Sequence, residues 1–420
     1  MANARYTRVK GFADIFPPES DRFTCMEEQA RRVFSSCGFR ELRTPLMEYT
    51  ELFRRSIGQE TDVVQKEMYT FADSRGRDMS LRPEATAGVL RAAIEAGMAG
   101  KDAVERFFTI GPMFRHERPQ KGRMRQFHQI NCECLGSSSP LADAELITML
   151  LRFLGNLGLS GLRLKLNSLG CRHCRPAYHE SLKSFLQCLE LEQMCEDCRR
   201  RLVTNPLRVL DCKHPGCQSL LCQSPRLPEH ICGECREHFD MVLRLLDSRG
   251  IDYELDPNLV RGLDYYCRTT FEVVSNDIGA QTAVAGGGRY DGLIAQLGGP
   301  EAPGVGFACG MERLALLMPG TPVKGSDFFL ICMGQEAAIQ GFDLAQILRD
   351  NGLDGEISLK DGSLKSQLRA ANRQGAAFCL IIGPDEASQK SVVIRNMADG
   401  GQQTVPQAFA STSLLQCKQE

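Results

Sequence analysis

No uncharged apolar run in this chain reaches the ~18 residues that a membrane-spanning helix needs, so no span is expected. The opening segment, MANARYTRVKGFADIFPPES, has cations but no apolar stretch behind them, which argues against a secretory leader. Neither sign of charge is in excess. The 50 lysines and arginines meet 52 aspartates and glutamates, a net of −2. General attraction to nucleic acid is therefore excluded, and any such contact must come from local basic patches. Internal repeats and low-complexity tracts are also missing. What remains is ordinary globular composition, 43% hydrophobic and 24% charged, over 420 residues, enough for two or three domains. Cysteine is abundant, with 19 residues. Without an export signal the expected compartment is reducing, where paired cysteines bind metal or stay as thiols, and a cytoplasmic location follows.

From about Ser20 to Gly38 apolar residues recur at helical spacing, and Gly38 stands where a helix can end left-handed. FRELRTPLMEYTELF then reads as a short extended stretch ending at Pro45, followed by an amphipathic turn. RFFTIGPMF and RQFHQINCECLG are strand-like and bracket the polar segment RHERPQKGRMR, which predicts an antiparallel hairpin. ADAELITMLLRFLGNLG has a helical pattern and LRLKLNSLG alternates as a strand. Residues 171–250 change character to cysteine-rich, charged and helical, and read as an insertion or small lobe. LVRGLDYYCRTTFEV, residues 259–273, looks like a strand yet carries Arg261, Asp264, Arg268 and Glu272. Polar groups entering a core are costly unless paired, which raises the question of what these residues meet there. A linker, PGTPVKGS, sets a boundary near residue 325. Beyond it strands and helices alternate, which predicts a separate α/β domain, 326–420, with a mostly parallel sheet.

The loop residues Arg115, His116, Glu117, Arg118, Lys121, Arg123 and Arg125 are either a solvated charged loop or an anion site, since arginine suits bidentate phosphate recognition. On the following strand Phe127, Gln129, Asn131 and Glu133 share one side. They form a polar pocket or merely surface alternation. In SLRPEATAGVLRA, Pro83, Glu84, Ala85 and Thr86 open a helix running through Leu90. Glu84 could serve the helix dipole or bind an amino group. Gly286 to Gly288 let backbone approach a ligand, or mark a turn. In GVGFACGMERL, Gly310 precedes Arg313 in the first turn of an apolar helix, where a nucleotide could lie.

Taken together these segments resemble a known family. FRHERPQKGRMRQF and GVGFACGMERL are similar to motifs two and three of class II aminoacyl-tRNA synthetases, and FRELRTPLMEYTELF, with Pro45, to motif one, which forms that class's dimer interface. VRGLDYY and GGGRYDGL resemble the two signatures of the histidyl-tRNA synthetase family, and LRPEATAG its substrate-binding element. The resemblance covers essentially the whole chain. It implies an α+β catalytic core, an antiparallel sheet with flanking helices, over residues 1–325, interrupted by 171–250, then an anticodon-binding α/β domain. It also implies ATP-dependent activation of L-histidine, magnesium on the ATP, transfer to tRNA(His), and a homodimer. Residue by residue, Arg261 and Arg115 would meet the α-phosphate, with Glu117, Arg123 and Arg313 around the nucleotide. Glu84, Thr86 and Gln129 would meet the substrate amino group, Glu133 and Tyr266 the imidazole, with Ala85, Tyr265 and Tyr290 lining the pocket. Ala85 stands where the family usually has glycine, and Met124 where an aromatic is common.

CRHC, CEDC, CKHPGC and CGEC fit structural zinc, whose tetrahedral corners thiolate pairs can fill. Packed thiols are the other reading. The ligand set stays open among Cys171, Cys174, Cys195, Cys198, Cys212, Cys217, Cys232 and Cys235. Arg199, Arg200, Arg201, Arg208 and Lys213 form either a tRNA-facing basic surface or a solvated helix. A rival to the ligase reading is a catalytically silent regulatory subunit of histidine biosynthesis. That family resembles the core but generally lacks the terminal domain.

Overall fold

The alternating runs beside the basic loop form the hairpin that organises the molecule. In the computed structural model, strands Glu105–Phe114 and Gln126–Leu135 pair antiparallel, from Glu105 opposite Leu135 to Phe114 opposite Gln126. The structure describes residues 6–418 except 59–60, 101–102, 190–192, 205, 211, 213, 261–262, 264, 279–282, 321–324 and 361. The chain divides into two compact units, Met1–Thr321 and Pro322–Glu420. Among the described residues no helix is long and apolar enough to cross a membrane.

In the first unit the hairpin belongs to an eight-stranded sheet. Its order is Arg40–Glu41, Glu105–Phe114, Gln126–Leu135, Gly304–Gly310, Ala283–Arg289, Cys267–Val274, Arg163–Ser168 and Glu254–Leu255. The inner strands all run antiparallel to one another, and only the two-residue edge strands pair parallel. The glycine run is a strand, not a turn, with Gly286–Gly288 paired on both sides. The strand read from residue 259 is shorter than its composition predicts, beginning at Cys267. Arg268 there has φ +48°, and the pairing register slips between Gly288 and Arg289, a bulge that ends the ladder.

One sheet face is covered by helices Glu19–Ser36, Pro140–Asn156 and Gly233–Asp247. The first stops as its glycine predicts. Gly38 at φ +79° lets the Gly38 and Phe39 N–H groups return to the carbonyls of Ser35 and Phe34, satisfying carbonyls the helix end would leave orphaned. The second starts at Ser139, whose hydroxyl accepts from the Leu141 N–H, with Pro140 in the first turn. Phe34 is fully buried among Phe108, Phe153 and Phe307, with ring centroids 5.4–5.9 Å away. Truncating such a residue to alanine costs about 3–5 kcal/mol. The other face is left for helix Thr86–Glu95 and a second apolar cluster. That cluster runs from Val89 and Leu90 through Tyr266 and Tyr290 into Tyr178, Leu182 and Leu186 of the cysteine-rich region.

The second unit holds a five-stranded sheet in the order Gly355–Ile357, Phe328–Cys332, Phe378–Ile382, Ser391–Asn396, Gln402–Pro406. The first three strands are parallel, but the last two join antiparallel, so the sheet is mixed, not mostly parallel. Connection length explains this. A parallel return needs a crossover of a dozen or so residues, and only residues 383–390 separate Ile382 from Ser391.

Candidate functional site

Helix Thr86–Glu95 begins against the uncovered sheet face, and its start collects buried polar groups. The Glu84 carboxylate accepts from the N–H groups of Thr86 (2.7 Å) and Ala87 (2.9 Å), so it satisfies orphan donors of that helix. Burial still pushes its pKa up, outweighing those bonds. The Thr86 hydroxyl donates to Glu133 at 2.6 Å, and the Tyr290 hydroxyl donates to the other Glu133 oxygen. Glu133 is 1% exposed, and burial raises its pKa to about 8 in spite of both hydroxyls. Gly306, opposite Glu133 on the next strand, makes the room: a Cβ there would lie 1.8 Å from the Glu133 Oε2 atom. Gly304 likewise yields to the Tyr290 ring, 2.2 Å from its virtual Cβ. Tyr265 closes this group, 4.6 Å from the Tyr266 ring and 5.8 Å, edge-on, from Tyr290. Burial, then the neighbouring Tyr266 and the charges of Glu84 and Glu133, drive the Tyr265 hydroxyl well above its ordinary pKa. Ala85 is fully buried at φ −99°, so the side chain in place of the family's glycine meets no backbone strain. Gln129 Oε1 and Asn131 Oδ1 are buried without a hydrogen-bond partner among the described residues.

Farther along the same hairpin three arginines converge. Arg115 donates from Nε to the Pro83 carbonyl at 2.9 Å, and its guanidinium lies 5.4 Å over the Phe127 ring. Arg123 pairs closely with Glu117, whose other oxygen is 4.0 Å from Arg115. Arg313 donates to the carbonyls of Gly122 (3.2 Å) and Ala283 (2.6 Å), tying its helix to the loop and to the glycine strand. Burial, then repulsion from Arg123, lowers its pKa, with Arg115 adding to the effect. The charges of Glu117 and Glu272 act on Arg313 in the opposite sense. Glu67, which sequence reading missed, has its pKa raised by burial and then by the charge of Glu117. It lies on an irregular turn, Val63–Glu67, whose pattern gives no signal of proximity. Arg261 and Asp264 lie outside the described residues.

Arg289 is a further buried charge that sequence reading did not single out. It is fully buried and donates to Asp143, Asp291 and the carbonyls of Ser137 and Ser139. Burial alone would raise the Asp143 carboxyl, but Arg289 and His238 outweigh it and hold it below its ordinary value. This network fixes the backbone immediately before Tyr290.

The comparisons fit the geometry. The family profile described as Histidyl-tRNA synthetase matches residues 11–314, and one described as Anticodon binding domain matches 327–416. The histidine–tRNA ligase of Nitratidesulfovibrio vulgaris strain Hildenborough is 58% identical over 412 residues, covering 98% of this chain and 99% of that protein. The chain belongs to the histidyl-tRNA synthetase family. The histidine–tRNA ligase of Oleidesulfovibrio alaskensis is 57% identical over 408 residues, 96% of this chain and 97% of its own. The crystal structure of apo S. aureus histidyl-tRNA synthetase superposes with a TM-score of 0.81 at 34% identity, covering 98% of this chain and all of that one.

Within this family member the cysteines of the lobe form two groups. Cys171, Cys174, Cys232 and Cys235 are one, and Cys195, Cys198, Cys212 and Cys217 the other. The arginines of helix Glu196–Thr204 are partly spoken for. Arg200 and Arg201 bridge to Asp62 at 3.5 and 3.2 Å, which reduces the free basic face. Lys213 and the side chain of Arg208 lie outside the described residues.

Proposed function

We propose that the chain activates L-histidine with ATP and transfers the histidyl group to tRNA(His), as a cytoplasmic homodimer. The observation that carries the reading is the buried polar pocket of Glu84, Thr86, Glu133, Tyr265 and Tyr290 beside the cationic cluster of Arg115, Arg123 and Arg313. The substrate carries both an ammonium and an imidazole. Glu84 and the unpartnered Gln129 Oε1 supply acceptors for the ammonium. Glu133 and Tyr266 are assigned to the two ring nitrogens. A site that pairs both nitrogens rejects apolar competitors, because mispairing leaves buried polar groups unsatisfied.

In the first step the histidine carboxylate attacks the α-phosphorus and pyrophosphate leaves. Both reactants are anions. At about 4 Å and an effective dielectric near 20 they repel by roughly 4 kcal/mol, nearly a thousandfold in rate. Fixed cations are therefore the main requirement, and no protein nucleophile is needed. Arg115, braced on Pro83 and Phe127, and Arg261 are assigned to the α-phosphate. Glu117, Arg123 and Arg313 are assigned to the nucleotide. Magnesium carried on the ATP phosphates would supply further charge neutralisation. Exposed Leu46, Met47 and Tyr49, next to Pro45, offer apolar surface for the dimer contact. In the C-terminal unit Lys365, Arg369 and Arg373 are exposed and four residues apart on helix Leu364–Arg373, one stripe suited to the tRNA backbone. Full-length likeness to curated ligases, terminal unit included, favours this reading over a regulatory subunit.

Purified protein with magnesium should exchange pyrophosphate into ATP only when histidine is present. Folded protein without histidine-dependent exchange overturns the proposal. Arg261→Ala should depress adenylate formation far more than histidine binding. An equal loss in both would make that arginine an anchor and nothing more.

A further inference from the structure

The two cysteine groups have spacings that packed thiols do not require and a tetrahedral ion does. Cys171 Sγ lies 3.6 Å from Cys174 and 4.0 Å from Cys232, Cys174 lies 3.8 Å from Cys235, and Cys195 lies 3.8 Å from Cys212. Within each group all four sulfurs fall within 4.8 Å of one another. Zinc–sulfur bonds of about 2.3 Å in a tetrahedron put the sulfurs about 3.8 Å apart. A disulfide would bring them to about 2.05 Å, and every one of these cysteines is free. Backbone N–H groups already point at the sulfurs: Cys232 to Cys174 at 3.1 Å, Cys195 to Cys217 at 3.2 Å, His214 to Cys212 at 3.4 Å. Such donors stabilise thiolate charge.

We infer that the lobe holds two structural zinc ions, one in each four-cysteine group, and that the first braces the histidine pocket. On binding, each thiol releases its proton to water and donates a sulfur lone pair to the metal. Four ligands close the site, with no redox change and no open position for catalysis. The first ion joins Cys171 and Cys174, at the start of helix Arg175–Gln187, to Cys232 and Cys235, at the start of helix Gly233–Asp247. That junction abuts the pocket strand. Gly170 accepts from the Arg268 N–H at 2.8 Å, Leu169 donates to the Arg268 carbonyl at 2.7 Å, and Arg175 donates to the Tyr266 carbonyl. The second ion instead anchors helix Glu196–Thr204, which carries Arg200 and Arg201 toward Asp62.

Protein purified without chelator should carry about two zinc ions per chain by elemental analysis and native mass spectrometry. Cobalt replacement should give the absorption of tetrahedral four-thiolate sites. Cys171→Ser or Cys235→Ser should remove one ion, and Cys195→Ser or Cys212→Ser the other. Only the first pair should raise KM for histidine several-fold. That last arm rests on the ligase reading, whereas the metal counts do not. Less than about 0.3 zinc per chain in the unaltered protein overturns the inference outright, as does a single ion. Loss of both ions from one variant overturns the independence of the sites, and an unchanged histidine KM in the first pair overturns the bracing role.

Discussion

Replacing Glu133 by glutamine keeps the shape of the side chain and removes its proton equilibrium. Burial raises the wild-type carboxyl to about 8, against about 4.3 in an unfolded chain. A folded pKa above the unfolded one stabilises the protein fully at pH below the unfolded value. That contribution is lost as pH climbs through the folded value. Between about pH 5.5 and about pH 8.5 the linkage amounts to roughly 3 kcal/mol of stability lost by the wild type and none by the variant at this position. Urea unfolding followed by tyrosine emission is the suitable assay. The chain has no tryptophan, and its eight tyrosines all lie at or before Tyr290, so emission reports the first unit alone. Glu133→Gln should gain about 3 kcal/mol relative to wild type over that pH range. A difference that stays constant with pH would mean the carboxylate is ionised throughout, held by the Thr86 and Tyr290 hydroxyls. The weight given to burial would then be wrong.

Gly306→Ala should cost about 1–3 kcal/mol by overpacking and raise KM for histidine, because the added carbon collides with Glu133 and with the Cys132 carbonyl 2.6 Å away. Unfolding and exchange kinetics that match wild type would refute it. Asp143→Ala strands the Arg289 guanidinium in the core and should cost about 3–5 kcal/mol in urea unfolding. A loss under about 1 kcal/mol would show that Asp291 and the carbonyls suffice.

Much of the catalytic unit could be read from its residues because the signals were local. The hairpin announced itself through β-rich runs around a basic loop, and the first helix through its period and Gly38. The glycine strand gave no such signal, since glycine has neither β propensity nor a side-chain alternation, and only pairing with both neighbours holds it extended. Tyr265 and Tyr266 were read as part of a strand from their composition. The ladder instead begins after them, at a bulge set by Arg268. In the C-terminal unit, strand Gln402–Pro406 escaped notice because its polar residues lack the pattern of a buried strand. Local pattern singles out Glu84, Thr86 and Glu133, and the resemblance adds their roles toward the substrate. Their meeting with Tyr290 is a tertiary fact, spanning 157 residues between Glu133 and Tyr290, that no window of sequence contains.

The glycines at 304 and 306 carry a consequence for anyone wishing to broaden what this pocket accepts. A wall made of main chain has nothing on it to shorten. A bulkier analogue of histidine cannot be admitted by trimming that side, and any added carbon there invades Tyr290 or Glu133. Redesign must work instead at Thr86 and Tyr265, which touch the same Glu133 and Tyr290 and have side chains to cut back.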